Sequence, residues 1–258
     1  MRCEVAKAFM NERGVPFQEL DFKGEGKDAF QRFYREHRGD IRRGPDGVEF
    51  PILHDGERVV QGVGEIVARL QAGDRLAGFV GPSGLGQGWI DGLDVSAGDP
   101  AAGEEFLAVL RHLKEQGLRT ELRADGRNGD LLERVIEDRL ADRLVFDPVG
   151  SAEVYEGAFG TPLSEEDLCR SLSLAVRAPE VRFVLTLRFL SRAGGAAWLS
   201  AEEAARAAEL TAEATGDRHR PFLVRAGDPP PGEAPLPKPA LFKYRTACRR
   251  FMPKTDLY

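Results

Sequence analysis

The side chains able to do chemistry in this 258-residue sequence are few: three cysteines, four histidines and several acids placed where strands should end. Cys3 opens the helical stretch CEVAKAFMNER. A thiol at a helix N-terminus can take part in disulfide exchange as the thiolate, and it can equally be a leftover beside a frayed end. Cys169 lies in SEEDLCRSLSL, where a small buried hydrophobe accounts for it. His37, His54, His112 and His219 show no H-x-x-x-H or comparable spacing, so a zinc site is not expected. The run Ser96-Ala97-Gly98-Asp99-Pro100 reads as a strand-end turn with proline at the first helical position, and Asp125 and Asp147 also fall at strand ends, as caps or solvated loop acids. The glycines at 78–88 lack the G-K-[ST] ending that cradles phosphate and read as flexibility. Lys243, Arg245, Arg249 and Arg250 around Tyr244 form either a phosphate-touching patch or a solvated basic tail.

These residues need elements to position them. Residues 3–13 have helical spacing and stop at Gly14; VPFQELDF (15–22) alternates as a half-buried strand; 27–38 is a helix with Phe30, Phe33 and Tyr34 on one face. Asp55-Gly56 between two β-rich runs predicts a hairpin, and the helix GEIVARLQAG ends at Gly73. Beyond a glycine-rich stretch the rhythm changes to strand and helix in alternation: strands at 93–98, in LRTELRADG, in DRLVFDPVG, at 181–190 and at 221–227, with helices between them. Such alternation implies right-handed crossovers and a parallel sheet, either part of a β/α barrel or an open doubly wound sheet, with chemistry at strand C-termini. The sequence therefore divides into residues 1–75, a Gly-rich linker 76–92, an α/β domain 93–228, and a Pro-rich then basic tail 229–258, with the domain split between Leu70 and Asp94.

Bulk composition restricts the function. No apolar run approaches the ~18 to 20 residues that cross a bilayer, and no leader pattern is present. Thirty-six basic against 42 acidic residues give a net charge of -6, which argues against a protein built to coat phosphates. Three scattered cysteines do not make a disulfide framework, so a reducing, cytoplasmic setting is expected.

Two resemblances follow from the motifs. Residues 3–73 resemble a glutaredoxin: Cys3-Glu4-Val5-Ala6-Lys7 is similar to the segment around the family's second active-site cysteine, Phe50-Pro51 to its cis-proline turn, and Gly62 with Glu65 to the turn that holds the terminal end of glutathione. The resemblance implies a thioredoxin-like fold lacking its first strand, a catalytic or residual thiol at Cys3, and glutathione contacts at Pro51, Gly62 and Glu65. The first cysteine of C-x-x-C and the strand before it are missing, and Met1 is consistent with an internal start. Residues 93–190 resemble the second half of radical S-adenosylmethionine activating enzymes of the glycyl-radical type. Ala97-Gly98-Asp99-Pro100 is similar to the G-G-E-P turn, Ala124-Asp125-Gly126 to the T-N-G strand end, and Asp147 to the acid of D-x-K, whose lysine is here Val149. That resemblance implies a partial β/α barrel with cofactor contacts at Gly98, Asp99 and Asp147. No cysteine lies between Cys3 and Cys169, so the three-thiolate cluster loop is absent, no iron–sulfur cluster is expected, S-adenosylmethionine is not expected to bind, and the chain is not a working radical enzyme.

Together the resemblances imply a redox-lineage protein: a glutaredoxin-like thiol/disulfide relay coupled to a cluster-less docking domain, with a redox enzyme or activase as protein partner and neither membrane nor nucleic acid. The competing expectation is a non-catalytic adaptor, and a third is a cluster-free S-adenosylmethionine or nucleotide binder at Gly98-Asp99-Pro100.

Overall fold

Helical and strand periodicities alternate along the chain in a way that yields two compact units, Met1–Leu93 with Gly98–Thr120, and Asp94–Ala97 with Glu121–Tyr258. The computed structural model describes residues 2–44, 47–82, 89–192 and 194–258. Met1, expected as a start, and 83–88, the middle of the expected linker, lie outside the described residues. No described helix is long and apolar enough to cross a membrane.

In the first unit α1 (Arg2–Glu12) buries Val5, Ala6, Phe9 and Met10, the stripe its spacing demands. α2 (Lys27–Glu36) is half-buried on one aromatic face, with Phe30 beside Phe22 and Phe50, the last two stacked at 4.9 Å. Two short antiparallel pairs follow, β1 (Arg43–Gly44) with β2 (Gly47–Val48), and β3 (Ile52–His54) with β4 (Val59–Gln61). The second is the hairpin expected at Asp55-Gly56. α3 (Val63–Ala72) turns Val63, Ile66 and Val67 inward and packs on α1. Past β5 (Trp89–Asp94), α4 (Gly103–Glu115) packs on α3 through an apolar stripe that includes Phe106 and Leu110.

Residues 15–22 are not the strand expected from their alternation: Val15 donates to Met10 O, and the segment pairs with no other strand among the described residues. Alternation gives a pleated segment two faces, but a strand also needs a neighbouring edge for its amides. In place of the sheet expected of a thioredoxin-like domain, residues 2–82 carry, among the described residues, the two short antiparallel pairs β1–β2 and β3–β4.

The second unit begins its regular alternation with β6 (Arg119–Ala124), followed by α5 (Gly129–Glu137), β7 (Arg143–Phe146), α6 (Ala152–Phe159), α7 (Glu165–Ala175) and β8 (Val181–Leu187). A small pair, β9 (Phe189–Leu190) with β10 (Ala197–Trp198), precedes α8 (Ala201–Thr215) and β11 (Phe222–Ala226). α8 starts at a reciprocal capping box between Ser200 and Glu203. The six-stranded sheet has the order β12-β11-β8-β7-β6-β5, where β12 is Thr255–Leu257. The pairings β6–β7, β7–β8, β8–β11 and β11–β12 are parallel. Each crossover advances in one direction with no reversal of order, so the sheet has no switch point of the doubly wound kind.

Residues 229–258 are more than a tail. The prolines to 237 carry no helix or strand, but α9 (Lys238–Cys248) packs on α8 through Tyr244 and Cys248, and β12 closes the sheet edge. Tyr244 donates to Leu199 O at 2.8 Å, and the Cys248 thiol donates to Ala204 O at 3.3 Å.

Candidate functional site

Parallel strands deliver their C-terminal residues to one edge, and in the second unit that edge gathers a polar cluster. Asp94, at the end of β5, accepts from the amides of Ser96 (2.8 Å) and Ala97 (3.1 Å). Ser96 Oγ donates to Arg127 O and accepts from the Asp125 amide, both at 3.0 Å, which ties the ends of β5 and β6 together. Asn128, in the left-handed region at φ 57°, donates its side-chain amide to Val95 O. Asp125 holds Arg127 as a two-pronged ion pair at 2.8 to 3.2 Å, and Tyr155 donates its hydroxyl to Asp125 O. Asp147, at the end of β7, accepts from the Thr186 amide at 3.1 Å and from Arg188 at 2.8 Å. The guanidinium of Arg127 lies 3.7 Å from the centre of the Phe159 ring and that of Arg188 lies 5.4 Å from it, both within cation–π range. Arg225 donates to Thr186 Oγ1 at 3.0 Å.

The charges in this cluster are largely spent on one another. Asp94 differs: burial and the neighbouring Asp125 carboxylate push its carboxyl up to about 6, against the pull of the Ser96 and Ala97 amides and the Arg127 cation. Tyr155 is driven well up by burial beside Asp125 and Asp147, so it is a fixed proton donor in its bond to Asp125 O. Arg188 is held above its ordinary value by Asp147, against desolvation. The edge can thus present one protonatable acid beside two arginines braced on an aromatic ring. Asp125 and Asp147 are brought to this edge as the strand alternation implied; Asp94, Arg127, Tyr155 and Arg188 were not singled out in the sequence. The strand expected at 93–98 instead runs over Trp89–Asp94, and the one expected at 181–190 breaks after Leu187, which is why Asp94 and Arg188 fall at strand ends that the sequence pattern did not mark.

Gly98 and Asp99 belong to the first unit. A Cβ on Gly98 would stand 2.2 Å from the Phe79 ring, which is itself stacked on Phe106 at 4.6 Å. The Asp99 carboxylate accepts from the Ala101 amide at 2.9 Å and caps a turn of 3-10 helix that Pro100 opens. The backbone face of this turn is filled by an aromatic ring and its acid is engaged, so these residues do not fit an amino-acid-holding turn for S-adenosylmethionine. Cys3 is exposed on α1, Cys169 half-buried on α7 and Cys248 buried on α9, and no described group of three or more potential ligands is assembled for a metal.

The first unit holds a cavity of about 650 Å³ between α1, the segment 15–22, β3 and α3. Its walls include Cys3, Lys7, Phe17, Pro51, Leu53 and Ile66. The Phe50–Pro51 peptide is cis. Partial burial pushes the Cys3 thiol up and outweighs neighbouring cations that include Lys7, whose own ammonium is paired with Glu4 at 2.8 Å and Glu19 at 3.1 Å. Gly62, at φ 93°, donates its amide to Pro51 O at 2.9 Å and is the N-cap of α3. Glu65 points elsewhere. It pairs with Arg42 at 2.9 Å and lines a separate hollow of about 270 Å³ with Arg58, Val60 and Leu76. Cys3 and Pro51 therefore share a wall of one cavity, whereas Glu65 does not face it.

Fold and sites define an α/β protein with a six-stranded parallel sheet, a polar cluster at its strand ends, and a thiol-lined cavity in its first unit. No family model matches the chain and no curated protein matches it. Among solved structures it is similar to the monomer structure of a hyperthermophilic beta-glucosidase mutant, at 10% identity and a TM-score of 0.24, over 85% of this chain and 70% of that one.

Proposed function

We propose that the chain is a binding protein of thiol-redox lineage whose first unit receives an extended thiol peptide, glutathione being the smallest, with Cys3 as the acceptor sulfur. The observation that carries this reading is that Cys3 and Pro51 line the same 650 Å³ cavity, beside the outer edge of β3, which pairs on its other side with β4. Lys7 on that wall, paired with Glu4 and Glu19, would have to exchange one of them to meet a peptide carboxylate. In the exchange step the Cys3 thiolate attacks one sulfur of oxidised glutathione, the glutathione disulfide breaks, a new disulfide to Cys3 forms, and the second glutathione leaves as a thiolate that takes up a proton. The raised thiol makes this slow at neutral pH, with a rate that keeps climbing above pH 8.

In the same reading the second unit is a partial β/α barrel similar to that of radical activating enzymes, kept as a docking surface for a redox enzyme. Its single-direction strand order and the chemistry gathered at its strand ends support this. Intact-mass measurement after incubation with oxidised glutathione tests the proposal: one glutathionyl group per chain is expected, lost in Cys3→Ser and retained in Cys169→Ser. The raised Cys3 thiol favours one second reading, a purely non-catalytic adaptor, for which no adduct forms at any pH while the cavity still binds peptide.

A further inference from the structure

The carboxy-terminal helix has two unlike stripes. Tyr244 and Cys248, four apart, are buried against α8, with Met252 beyond them. Lys238, Phe242, Arg245 and Arg249 recur at steps of three and four and form a second stripe. Phe242 on that stripe is 50% exposed, one of the few large hydrophobic side chains left in solvent among the described residues. Between Lys238 and Tyr258 there are six cations, Lys238, Lys243, Arg245, Arg249, Arg250 and Lys254, against the single carboxylate of Asp256, in a chain whose overall charge is -6. Asp256 is taken by Arg245 at 3.4 Å. Lys243, Arg250 and Lys254 are exposed and make no ion pair with another described residue.

Cations and rings interleave here. Arg245 lies 4.9 Å from the Phe242 ring centre and Arg250 lies 5.5 Å from that of Phe251, while the Tyr244 ring, 4.9 Å from Lys243, is buried and only anchors the helix. A patch serving only solubility needs no exposed ring, and a docking face for a folded acidic protein does not require flat rings flanked by guanidinium groups. An unpaired nucleobase does: it presents a π-face for stacking, and its backbone supplies a phosphate per nucleotide. From this charge complementarity and ring exposure we infer that α9 and the turn after it form a binding surface for single-stranded nucleic acid, with Phe242 as stacking platform and Lys243, Arg250 and Lys254 as phosphate contacts, while Arg249 is held by the Thr255 carbonyl. The surface is independent of the thiol cavity.

Fluorescence anisotropy of the full chain with a labelled oligouridine of about 12 nucleotides tests it. The competitors are the matching duplex, an acidic peptide, and vesicles of zwitterionic lipid with phosphatidylserine. Saturable binding to the single strand is expected, at least about tenfold tighter than to duplex and falling with salt. Lys243→Glu with Arg250→Glu should weaken it about tenfold or more and flatten the log–log salt slope by roughly 1.4, since each single-strand phosphate contact contributes about 0.7. Phe242→Ala should weaken it about fivefold or more with the salt slope unchanged, because stacking releases no counterion. Phe242 is half exposed, so its truncation leaves the fold intact, which circular dichroism verifies. Absence of oligouridine binding would overturn the inference, as would equal affinity for duplex, tighter binding to vesicles or acidic peptide, or indifference to Phe242→Ala.

Discussion

Asp94 shows what a buried acid costs at the scale of one residue. Its carboxyl ionises at about 6 instead of near its ordinary value because burial and Asp125 oppose the charge. The folded state therefore keeps a proton that the unfolded chain has released between about pH 4 and 6, and stability falls as pH rises through that window. Each pH unit of that displacement is worth about 1.4 kcal/mol, so the charged form carries up to about 3 kcal/mol of destabilisation at neutral pH. Asp94→Asn removes the charge and keeps an oxygen acceptor for the Ser96 and Ala97 amides. Chemical denaturation should find this variant about 1 to 2 kcal/mol more stable than the parent at pH 7.5, with no advantage left at pH 4. A parent that is the more stable at pH 7.5 would mean that the Asp94 carboxylate is held by attraction to Arg127.

Among elements, the turn between β5 and α4 separates a packing role from a binding role. Gly98 lies flat against Phe79, and its substitution by alanine drives a methyl into the ring. Overpacking of this kind costs about 1 to 3 kcal/mol, and in a chain of this size each kcal/mol moves the melting temperature by about 2 to 4 °C. Gly98→Ala should therefore lower the melting temperature by several degrees, and Phe79→Leu in the same chain should restore part of it. If Gly98→Ala melts with the parent, the ring does not hold that place in solution, and the turn is open to a ligand after all. The carboxy-terminal elements make a related point. Tyr244 and Cys248 sit at helical spacing and a short β-rich run follows, yet composition alone reads the segment as a basic tail, because charge and proline outnumber the few residues that anchor it.

For the whole molecule, the unit boundary decides how the chain can be cut. α3 packs on α4 within the first unit, although the glycine-rich stretch separates them in sequence. A fragment of residues 1–75 leaves bare the α3 surface that α4 covers. It is expected to be poorly folded, with collapsed amide dispersion in a proton–nitrogen spectrum. The complementary fragment, 78–258, should unfold in two steps, with α4 exchanging its amides early because α3 is gone, while the amides of β7, β8 and β11 remain protected. A 1–75 fragment with dispersed resonances, or uniform protection through α4 in 78–258, would show that the two helices do not depend on each other.

Local order was legible in the sequence because it depends on neighbours a few residues apart. Apolar spacing marked α1, α3 and the strands at 119–124, 143–146, 181–187 and 222–226, and Asp55-Gly56 marked the hairpin; the order of β after α sufficed for a parallel sheet. Strand-end position was enough to bring Asp125 and Asp147 to one edge. The tertiary structure decided the rest. Whether residues 15–22 form a strand depends on a partner edge, which no local pattern encodes. The partners of Glu65 and Gly98 come from Arg42 and Phe79, tens of residues away or on another element. Burial raised both Asp94 and Cys3, and burial is a property of the packed chain: the same carboxyl and thiol in an extended peptide would titrate at their ordinary values.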